Sequence, residues 1–271
     1  MGMTDTDMTP YLTGDQLYGD DFTQEQIDRW FADEADAYID MTGEGVTEHG
    51  YQQWGIRYGY RHLPKGRRFR HALGFGAGLG GEIVPAADRV DRLTIVESSA
   101  KYDHVAGGLN MPVEFVMADP SGDIALADRS VDLVVCLGVL HHIPNVTHIV
   151  GEFARVCEPD GYAIIREPVC SMGDWMRPRP GLTPHERGIP LPMLRKIVTE
   201  AGFVIEHQTM LGFSLISWVW RYWTAPYNSR FWTVLDRAVC AGLRWNLRYH
   251  ATARWQKVRP TSVLLVLRRS S

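Results

Sequence analysis

The chain has 271 residues, of which 45% are hydrophobic and 22% are charged. This composition is ordinary for a globular protein and excludes collagen-like, coiled-coil and wholly disordered classes. The formal net charge of −4 does not by itself indicate a nucleic-acid partner. No run approaches the roughly 20 apolar residues of a membrane-spanning helix, and the first ten residues lack the basic and apolar parts of a signal peptide, so we expect a cytoplasmic protein.

Charge is unevenly distributed along the chain. Residues 1–45 hold twelve acidic residues against Arg29 alone, and residues 221–271 hold nine arginines and Lys257 against Asp236 alone. We favour packing of these segments against each other, or across a homodimer, over a basic tail that binds an anionic ligand. The four cysteines show no CxxC spacing, so neither a disulfide framework nor a metal site is predicted.

Helical patterns come first in the chain. Residues 23–40 repeat apolar positions at helical spacing, with Thr23 as the N-cap, and predict an amphipathic helix. A second helical pattern runs from about residue 49 to residue 60. We therefore predict an N-terminal helical cap over residues 1–65 and a larger domain over residues 66–271.

Short apolar runs then recur at the spacing of βα units. Segments of helical or loop character separate them, which predicts a parallel sheet covered on both faces. The predicted strands are HALGFG (71–76), LTIVES (93–98), VEFVMAD (113–119), VDLVVCLGVL (131–140), YAIIREP (162–168), FVIEHQTML (203–211) and TSVLLVLRR (261–269). Helices are predicted over residues 146–161, ended by Pro159-Asp160-Gly161, and over residues 191–203.

About fifty residues, 212–260, separate the last two strands and hold six of the nine tryptophans. A plain connection is much shorter, so this Trp/Arg-rich stretch is predicted to be a helical insertion before the last strand. We expect it to form a lid, a pocket wall or a contact between two copies of the chain.

Residues suited to a nucleotide-like ligand follow four successive strands. A Gly-rich turn over residues 73–81 follows the first strand and lets the backbone approach a ligand. Glu97 ends the second strand, where a carboxylate can bind ribose hydroxyls. Asp119 ends the third strand, and LGVLHHIPN ends the fourth. Because open α/β sheets bind ligands at the carboxyl ends of their strands, these four features in order indicate one ligand site.

The runs HALGFGAGLG, IVES, MADPSGDIALADRSVDLVVCLGVLHHIPN and ARVCEPDGYAIIREP resemble the successive motifs of class I S-adenosylmethionine-dependent methyltransferases, in particular the methyltransferase type 11 group. The resemblance covers roughly residues 69–168. It implies a Rossmann-like α/β fold with a seven-stranded sheet whose last strand is antiparallel. It also implies S-adenosylmethionine as the cofactor and, as the residues that bind it, Gly74, Phe75, Gly76, Gly78, Glu97, Ser98, Asp119, Pro120 and Leu137.

One position departs from the pattern of that family. The family usually has an acidic residue two positions before the first of these glycines, where this chain has Ala72. Binding of the cofactor's amino group must then use the backbone or an N-terminal residue. The alternative cofactor NAD(P) fits less well, because the glycine spacing is GxGxG and no tyrosine-lysine pair for hydride transfer is evident.

Candidate catalytic residues follow the fourth and fifth strands. His141 and His142 come directly after the fourth strand, and Glu167 ends the fifth. These strands are neighbours in the implied fold, so we predict that Glu167 orients His141 as a general base and that His142 lines the site. The arrangement resembles the histidine-carboxylate pair proposed in some sugar O-methyltransferases. The alternative is that both histidines only shape the pocket.

The loop after the fifth strand, residues 167–190, combines an aromatic residue with many hydrogen-bonding side chains. Loops at this edge of the sheet carry specificity, and this mixture suits a ring that bears several hydroxyls. The candidate substrate-binding residues are Trp175, Arg177, His185, Glu186 and Arg187. We therefore predict an O-methyltransferase that acts on a saccharide or another polar small molecule, with polysaccharide biosynthesis as one setting.

Three other functions stay open. A lipid or quinone-like precursor could be methylated, with the aromatic insertion as its apolar pocket. RNA methylation through the basic tail is disfavoured, because the net charge is negative and no RNA-binding motif is evident. An inactive cofactor-binding protein is suggested only by Ala72. The sequence predicts no metal ligands, while help from a divalent cation in binding the acceptor stays open.

Overall fold

The structure, a computed structural model, describes residues 7–42, 51–100, 109–173, 179, 181–219 and 226–271. Its strands are β1 (Ala72–Phe75), β2 (Leu93–Glu97), β3 (Val113–Met117), β4 (Val131–Leu137), β5 (Cys157–Pro168), β6 (Phe203–Phe213) and β7 (Pro260–Arg269). Its α-helices are α1 (Thr9–Thr13), α2 (Gln24–Thr42), α3 (Gln52–Trp54), α4 (Val146–Val156), α5 (Leu191–Glu200), α6 (Ser214–Val219) and α7 (Arg230–Gly242).

The seven strands form one sheet in the order β3-β2-β1-β4-β5-β7-β6. Strands β1 to β5 pair in parallel, and β7 runs antiparallel to both of its neighbours, β5 and β6. The predicted Rossmann-like sheet with an antiparallel last strand is confirmed. The strand order reverses between β1 and β4, and a sheet of this type binds its ligand where the order reverses.

Both faces of the sheet are covered at its centre, which explains why β1, β2 and β4 are continuous apolar runs. All seven residues of β4 are buried. Their side chains alternate between two core clusters, and α4 packs Ile149, Val150 and Phe153 into the first of these clusters. Trp54 and Tyr227 pack into the second. A strand that is buried on both sides carries no polar face, so it shows no alternation in the sequence.

The helix predicted over residues 146–161 is shorter than expected. It ends at Val156, and Cys157 already pairs with Val131 in the ladder between β4 and β5. The register shifts along this ladder, and Asp160 has a left-handed φ of 60°. Pro159-Asp160-Gly161 therefore lies in an irregular part of β5 and does not end the helix, because a strand bulge also uses such turn residues.

The helical segments at the two ends of the chain agree with the predicted pattern. The helix predicted over residues 23–40 is α2, and the pattern at residues 49–60 becomes α3, a π-helical turn (Gly55–Gly59) and a 3-10 turn (Tyr60–His62). Within its described residues, 212–219 and 226–260, the insertion before β7 contains α6, α7 and three 3-10 turns, at Pro226–Asn228, Arg244–Asn246 and Arg254–Lys257. Within the described ranges, no helix combines the length and apolarity that crossing a membrane requires.

Candidate active site

An open pocket lies at the carboxyl ends of β1, β2 and β4. It lies where the strand order reverses, as expected for a ligand site in this type of sheet. Six of the nine predicted cofactor residues line it: Phe75, Gly76, Glu97, Ser98, Asp119 and Pro120. Other lining residues that the sequence analysis did not single out include Phe31, Glu34, Gly138, Val139, Asn145 and Ile149.

The Gly-rich turn after β1 has a backbone that only glycine suits. Gly76 has a φ of 62°, and a Cβ at this position would lie 2.5 Å from Cγ1 of Val139. Gly78 donates its backbone N–H to Oε2 of Glu97 at 3.0 Å. Neither Gly78 nor Gly74 is among the pocket-lining residues. We infer that Gly74 and Gly78 shape the turn from behind, while Gly76 forms part of the pocket wall.

Glu97 is held in place at the end of β2. Its Oε2 accepts from the N–H of Gly78, and its Oε1 accepts from the N–H of Ser98 at 2.9 Å. Burial raises the pKa of Glu97, and these two backbone hydrogen bonds partly oppose that increase. A fixed carboxylate on the pocket wall has remaining lone pairs that can accept hydrogen bonds from the two hydroxyls of a ribose.

Replacement of Glu97 by alanine should weaken cofactor binding by about 1–3 kcal/mol, the range for a lost hydrogen bond to a charged group. That corresponds to about a 5- to 150-fold rise in the Kd. Calorimetric titration with S-adenosylhomocysteine measures the change. Glu114→Ala, on the exposed side of β3, is the matched control. An unchanged Kd in Glu97→Ala would mean that another residue binds the ribose.

Leu137, which is predicted to bind the cofactor, lies next to the residue that forms the pocket wall. It ends β4 and is buried, and a Cβ on Gly55 would lie 4.0 Å from its Cδ1. Its carbonyl oxygen accepts from Nη2 of Arg166 at 2.9 Å. Leu137 is not among the residues that line the pocket, whereas the next residue, Gly138, is. Because side chains alternate along a strand, the last residue of β4 faces the core and the residue after it reaches the ligand side.

The pocket also offers an acceptor that the protein leaves unsatisfied. Asn145 lines the pocket and donates from Nδ2 to the carbonyl of Ser121 at 2.7 Å. Its Oδ1 is buried and has no hydrogen-bond partner among the described residues. Buried polar atoms are normally paired, so an orphaned acceptor here fits a ligand that brings a donor, such as an adenine amino group. This observation, with the fixed carboxylate of Glu97, fits the cofactor that the resemblance implies.

His141 lies beside the pocket, between two carboxylates. Its Nδ1 donates to Oε2 of Glu167 at 2.8 Å, and its Nε2 lies 3.5 Å from Oε1 of Glu186. Glu167 is itself fixed, because its Oε1 accepts from the backbone N–H groups of Val139 and Leu140 at 3.0 and 2.9 Å. The structure therefore brings His141 and Glu167 together, and it adds Glu186 on the other side of the ring.

His142 lines the pocket and is held by the N-terminal segment. Its Nδ1 lies 2.8 Å from Oε2 of Glu34 and 3.2 Å from Oγ1 of Thr183. Glu34 stands on α2 and also accepts from the backbone N–H of His185 at 2.7 Å. Nε1 of Trp30, on the same helix, donates to the carbonyl of His142 at 2.7 Å. Helix α2 thus orients a histidine that follows β4.

The two histidines have opposite pKa shifts. Burial alone would lower the pKa of His141, but the hydrogen bonds and charges of Glu167 and Glu186 raise it to about 9. Burial lowers the pKa of His142, the charge on His141 lowers it further, and the hydrogen bond to Glu34 opposes both. Burial would raise the pKa values of the three carboxyls that contact these rings, those of Glu34, Glu167 and Glu186. Their hydrogen bonds, including those from the histidines, hold all three pKa values below the ordinary value.

Arg187 does not lie where a substrate could bind it. Its side chain is fully buried, and it donates from Nε to the carbonyl of Tyr18 at 2.7 Å and from Nη2 to the carbonyl of Ile143 at 2.8 Å. Three further contacts reach the carbonyls of residues 140, 141 and 144. The interpretation of Arg187 as a substrate-binding residue is therefore corrected: it fastens the loop after β4 to the N-terminal segment.

The other candidate substrate-binding residues have different outcomes. Glu186 contacts His141 and is part of the site. His185 stacks on Trp30 with ring centroids 4.6 Å apart, and its Nε2 lies 2.8 Å from Oδ2 of Asp33, so it ties its loop to α2. Trp175 and Arg177 lie outside the described residues.

Glu82 is a half-buried acid that follows the Gly-rich segment. Its Oε2 has no hydrogen-bond partner among the described residues. Burial raises its pKa to about 8, a nearby Arg166 opposes this, and the charges of Glu167 and Glu97 add to it. The folded chain therefore holds a proton on Glu82 at a pH where the unfolded chain has lost it.

Because the pKa of Glu82 is about 8 in the folded chain and 4.5 in its ordinary state, the contribution of Glu82 to the free energy of unfolding should fall as the pH rises between these values. Glu82→Gln should remove this loss and be more stable than the wild type by about 1–3 kcal/mol above pH 8. The two should be equal near pH 4. Urea unfolding at both pH values measures the difference. Equal stability of Glu82→Gln and the wild type above pH 8 would contradict the raised pKa of Glu82.

Comparison with known proteins agrees with this geometry. Residues 73–165 match the model of a methyltransferase domain. No curated protein sequence matches the chain. An S-adenosylmethionine-dependent methyltransferase from Mesorhizobium loti has a similar fold, with a TM-score of 0.52 and 17% identity over 77% of this chain and 94% of its own.

Two further solved structures cover more of the chain. The [4+2]-cyclase SpnF aligns with a TM-score of 0.55 and 17% identity over 92% of this chain and 96% of its own. A putative Haloferax volcanii methyltransferase, solved with the Trm112 methyltransferase activator, aligns with a TM-score of 0.54 and 15% identity over 91% of this chain and 98% of its own. At these identities the likeness concerns the fold. Residues 73–165 therefore form a methyltransferase domain, and the sheet and the pocket at its strand ends agree with that match.

Proposed function

We propose that this chain transfers the methyl group of S-adenosylmethionine to a hydroxyl of a saccharide or another polar small molecule. The observation that carries the proposal is the histidine cluster, which we define as His141, His142 and Glu186. The cluster lies beside the cofactor pocket, because one of its members, His142, also lines the pocket. A neutral hydroxyl becomes a good nucleophile only as its proton leaves, and buried imidazole and carboxylate groups at this place can take that proton.

The reaction itself needs little beyond positioning and this proton transfer. S-Adenosylmethionine supplies a methyl group that its sulfonium makes electrophilic. The acceptor oxygen forms a bond to the methyl carbon, the carbon–sulfur bond breaks, and the sulfur keeps the electron pair. The acceptor's proton passes to His142, whose lowered pKa leaves its ring neutral, while His141 with a pKa of about 9 stays protonated beside it. The carboxylates of Glu167 and Glu34 keep the two rings in place.

The polar character of the cluster supports a polar acceptor. Glu34, Glu167 and Glu186 are 7%, 1% and 7% exposed, so the wall beside the pocket is charged and desolvated. A site with buried polar groups rejects an acceptor that leaves them unpaired, which favours a molecule with several hydroxyls over an alkyl chain. His185 and Glu186 extend this polar wall into the loop after β5, which was predicted to bind the acceptor.

A lipid or quinone-like acceptor is the second candidate, and one observation favours it. The insertion exposes large apolar side chains on and around α7: Leu215, Phe231, Val234, Leu235 and Trp245. Exposed apolar groups in this number suit contact with an apolar molecule or surface. They lie on the insertion, whereas the histidine cluster lies on the loops that follow β4 and β5.

Two sets of acceptors distinguish these candidates. One contains glycosides with a single defined free hydroxyl, and the other contains long-chain phenols and lipids. Formation of S-adenosylhomocysteine and of the methylated product is measured by mass spectrometry for each acceptor. Methylated glycosides would support the proposal. Methylation of lipids without any methylated glycoside would overturn it and favour the second candidate.

A further inference from the structure

Three side chains of the histidine cluster place metal-ligand atoms close together. One such atom from each of His141, His142 and Glu186 lies within 4.8 Å of the other two. Nε2 of His141 is 3.5 Å from Oε1 of Glu186. Ligand atoms bound at roughly 2.0–2.2 Å to one zinc ion lie about 3–4 Å from one another. Small side-chain movements would therefore bring all three atoms to bonding distance of one ion.

Both histidine rings are already held in the way that metal-bound histidines are held. Nδ1 of His141 donates to Glu167 at 2.8 Å, and Nδ1 of His142 lies 2.8 Å from a carboxylate oxygen of Glu34. A histidine that binds a metal almost always gives its other ring nitrogen to a carboxylate or carbonyl, which fixes the ring and its tautomer. Coordination would then use Nε2 of each ring.

The charge of the site also favours a cation. Glu34, Glu167 and Glu186 are buried and lie in one network of close contacts with the two histidines. Buried carboxylates need compensating positive charge. A divalent ion bound by Glu186 and the two histidines would supply it at the centre of this network.

We propose that His141, His142 and Glu186 bind a divalent transition-metal ion through two imidazole nitrogens and one carboxylate oxygen. Two nitrogen ligands favour ions such as Zn²⁺, Co²⁺, Ni²⁺ or Fe²⁺ over Mg²⁺ and Ca²⁺, which prefer oxygen ligands. The sequence analysis predicted no metal site from the cysteine spacing, which indicates only sites with thiolate ligands. Here the ligands come from two different loops, and only the fold brings them together.

Three protein ligands leave coordination positions open, and His142 places the ion at the pocket wall. A hydroxyl that enters one of these positions loses its proton more easily. This role in acceptor activation rests on the proposed function, whereas metal binding itself does not. With its three ligand atoms on the ion, the cluster would not take the proton itself, and the metal-bound hydroxyl would release its proton to water.

Cobalt titration of the metal-free full chain tests the inference. Co²⁺ bound by two imidazoles and a carboxylate absorbs visible light, so its coordination is read from the spectrum without any assay of activity. We expect one Co²⁺ per chain. His142→Ala and Glu186→Gln should each abolish the spectrum. Glu34→Gln, which keeps all three ligands, should weaken binding by about 10- to 100-fold.

His148→Gln is the matched control, since His148 is an exposed histidine on α4 paired with Asp123 and should not change the spectrum. Melting curves identify any variant that fails to fold. If His142→Ala and Glu186→Gln do not fold, the Co²⁺ affinity of Glu34→Gln tests the inference in their place. No Co²⁺ uptake by the wild type, or an unchanged spectrum in both His142→Ala and Glu186→Gln, would overturn the inference.

Two combined outcomes separate this inference from the proposed function. Methyl transfer to glycosides that persists in excess chelator, with no Co²⁺ bound, would overturn the metal site and leave the proposed function intact. Co²⁺ bound in the expected way, with no acceptor of any class methylated, would support the metal site and contradict the proposed function.

Discussion

Replacement of His141 by alanine should lower turnover by about 10²–10⁴-fold, the range for loss of a group that assists proton transfer. His141 is the member of the histidine cluster that contacts both Glu167 and Glu186, so its loss removes one imidazole and leaves two buried carboxylates without their shared partner. Cofactor affinity should stay nearly unchanged, because His141 does not line the cofactor pocket. Single-turnover kinetics and calorimetry measure the two quantities separately.

Glu167→Gln should produce a similar or smaller loss of turnover in the same assay. The glutamine can still accept from Val139 and Leu140, so the loop after β4 should keep its conformation. His185→Gln is the matched control, because it changes a histidine that contacts α2 rather than the cluster. Turnover near the wild-type rate in His141→Ala would show that His141 takes no part in the proton transfer; His142 or His185 would then act without it, or positioning alone would suffice.

Replacement of Arg187 by methionine should destabilise the fold by about 3–5 kcal/mol, the range for removal of one partner from a buried charged network. Methionine keeps an unbranched apolar side chain, is shorter than arginine and donates no hydrogen bond. The guanidinium now reaches five backbone carbonyls, those of Tyr18, Leu140, His141, Ile143 and Pro144. Each buried acceptor that loses its donor adds a desolvation penalty.

Urea unfolding at constant pH measures this loss for Arg187→Met. Arg195→Met, on the exposed side of α5, should change stability by less than about 0.5 kcal/mol and serves as the control. A stability equal to that of the wild type in Arg187→Met, together with a raised KM for the acceptor, would return Arg187 to the substrate-binding role that the sequence suggested.

The parts of the fold that the sequence predicted correctly are those governed by local patterns. A strand buried on both faces needs a short apolar run, and β1, β2 and β4 each have one. Residues that end such strands, such as Glu97, lie at one edge of the sheet by geometry alone. The end of α4 was predicted less well, because Pro159-Asp160-Gly161 stops a helix and bends a strand with the same residues.

The parts of the site that were missed depend on contacts between distant segments. Glu34 lies on α2, and its contact with His142 joins positions 108 residues apart. Nothing in the pattern of α2 distinguishes this acid from its neighbours Asp33 and Asp36. The sequence suggested that Arg187 is an exposed cation in a proline-rich loop. Its hydrogen-bond partners are backbone carbonyls, which every residue has, so the sequence pattern does not indicate that Arg187 is buried.

Calorimetric titration of the wild-type chain with S-adenosylmethionine and with S-adenosylhomocysteine tests the central claim most directly. The claim is that the pocket at the ends of β1, β2 and β4 holds the methyl donor. We expect one molecule of either ligand per chain, with binding weakened by Glu97→Ala and unchanged by His141→Ala. Absence of binding for both ligands would contradict the claim.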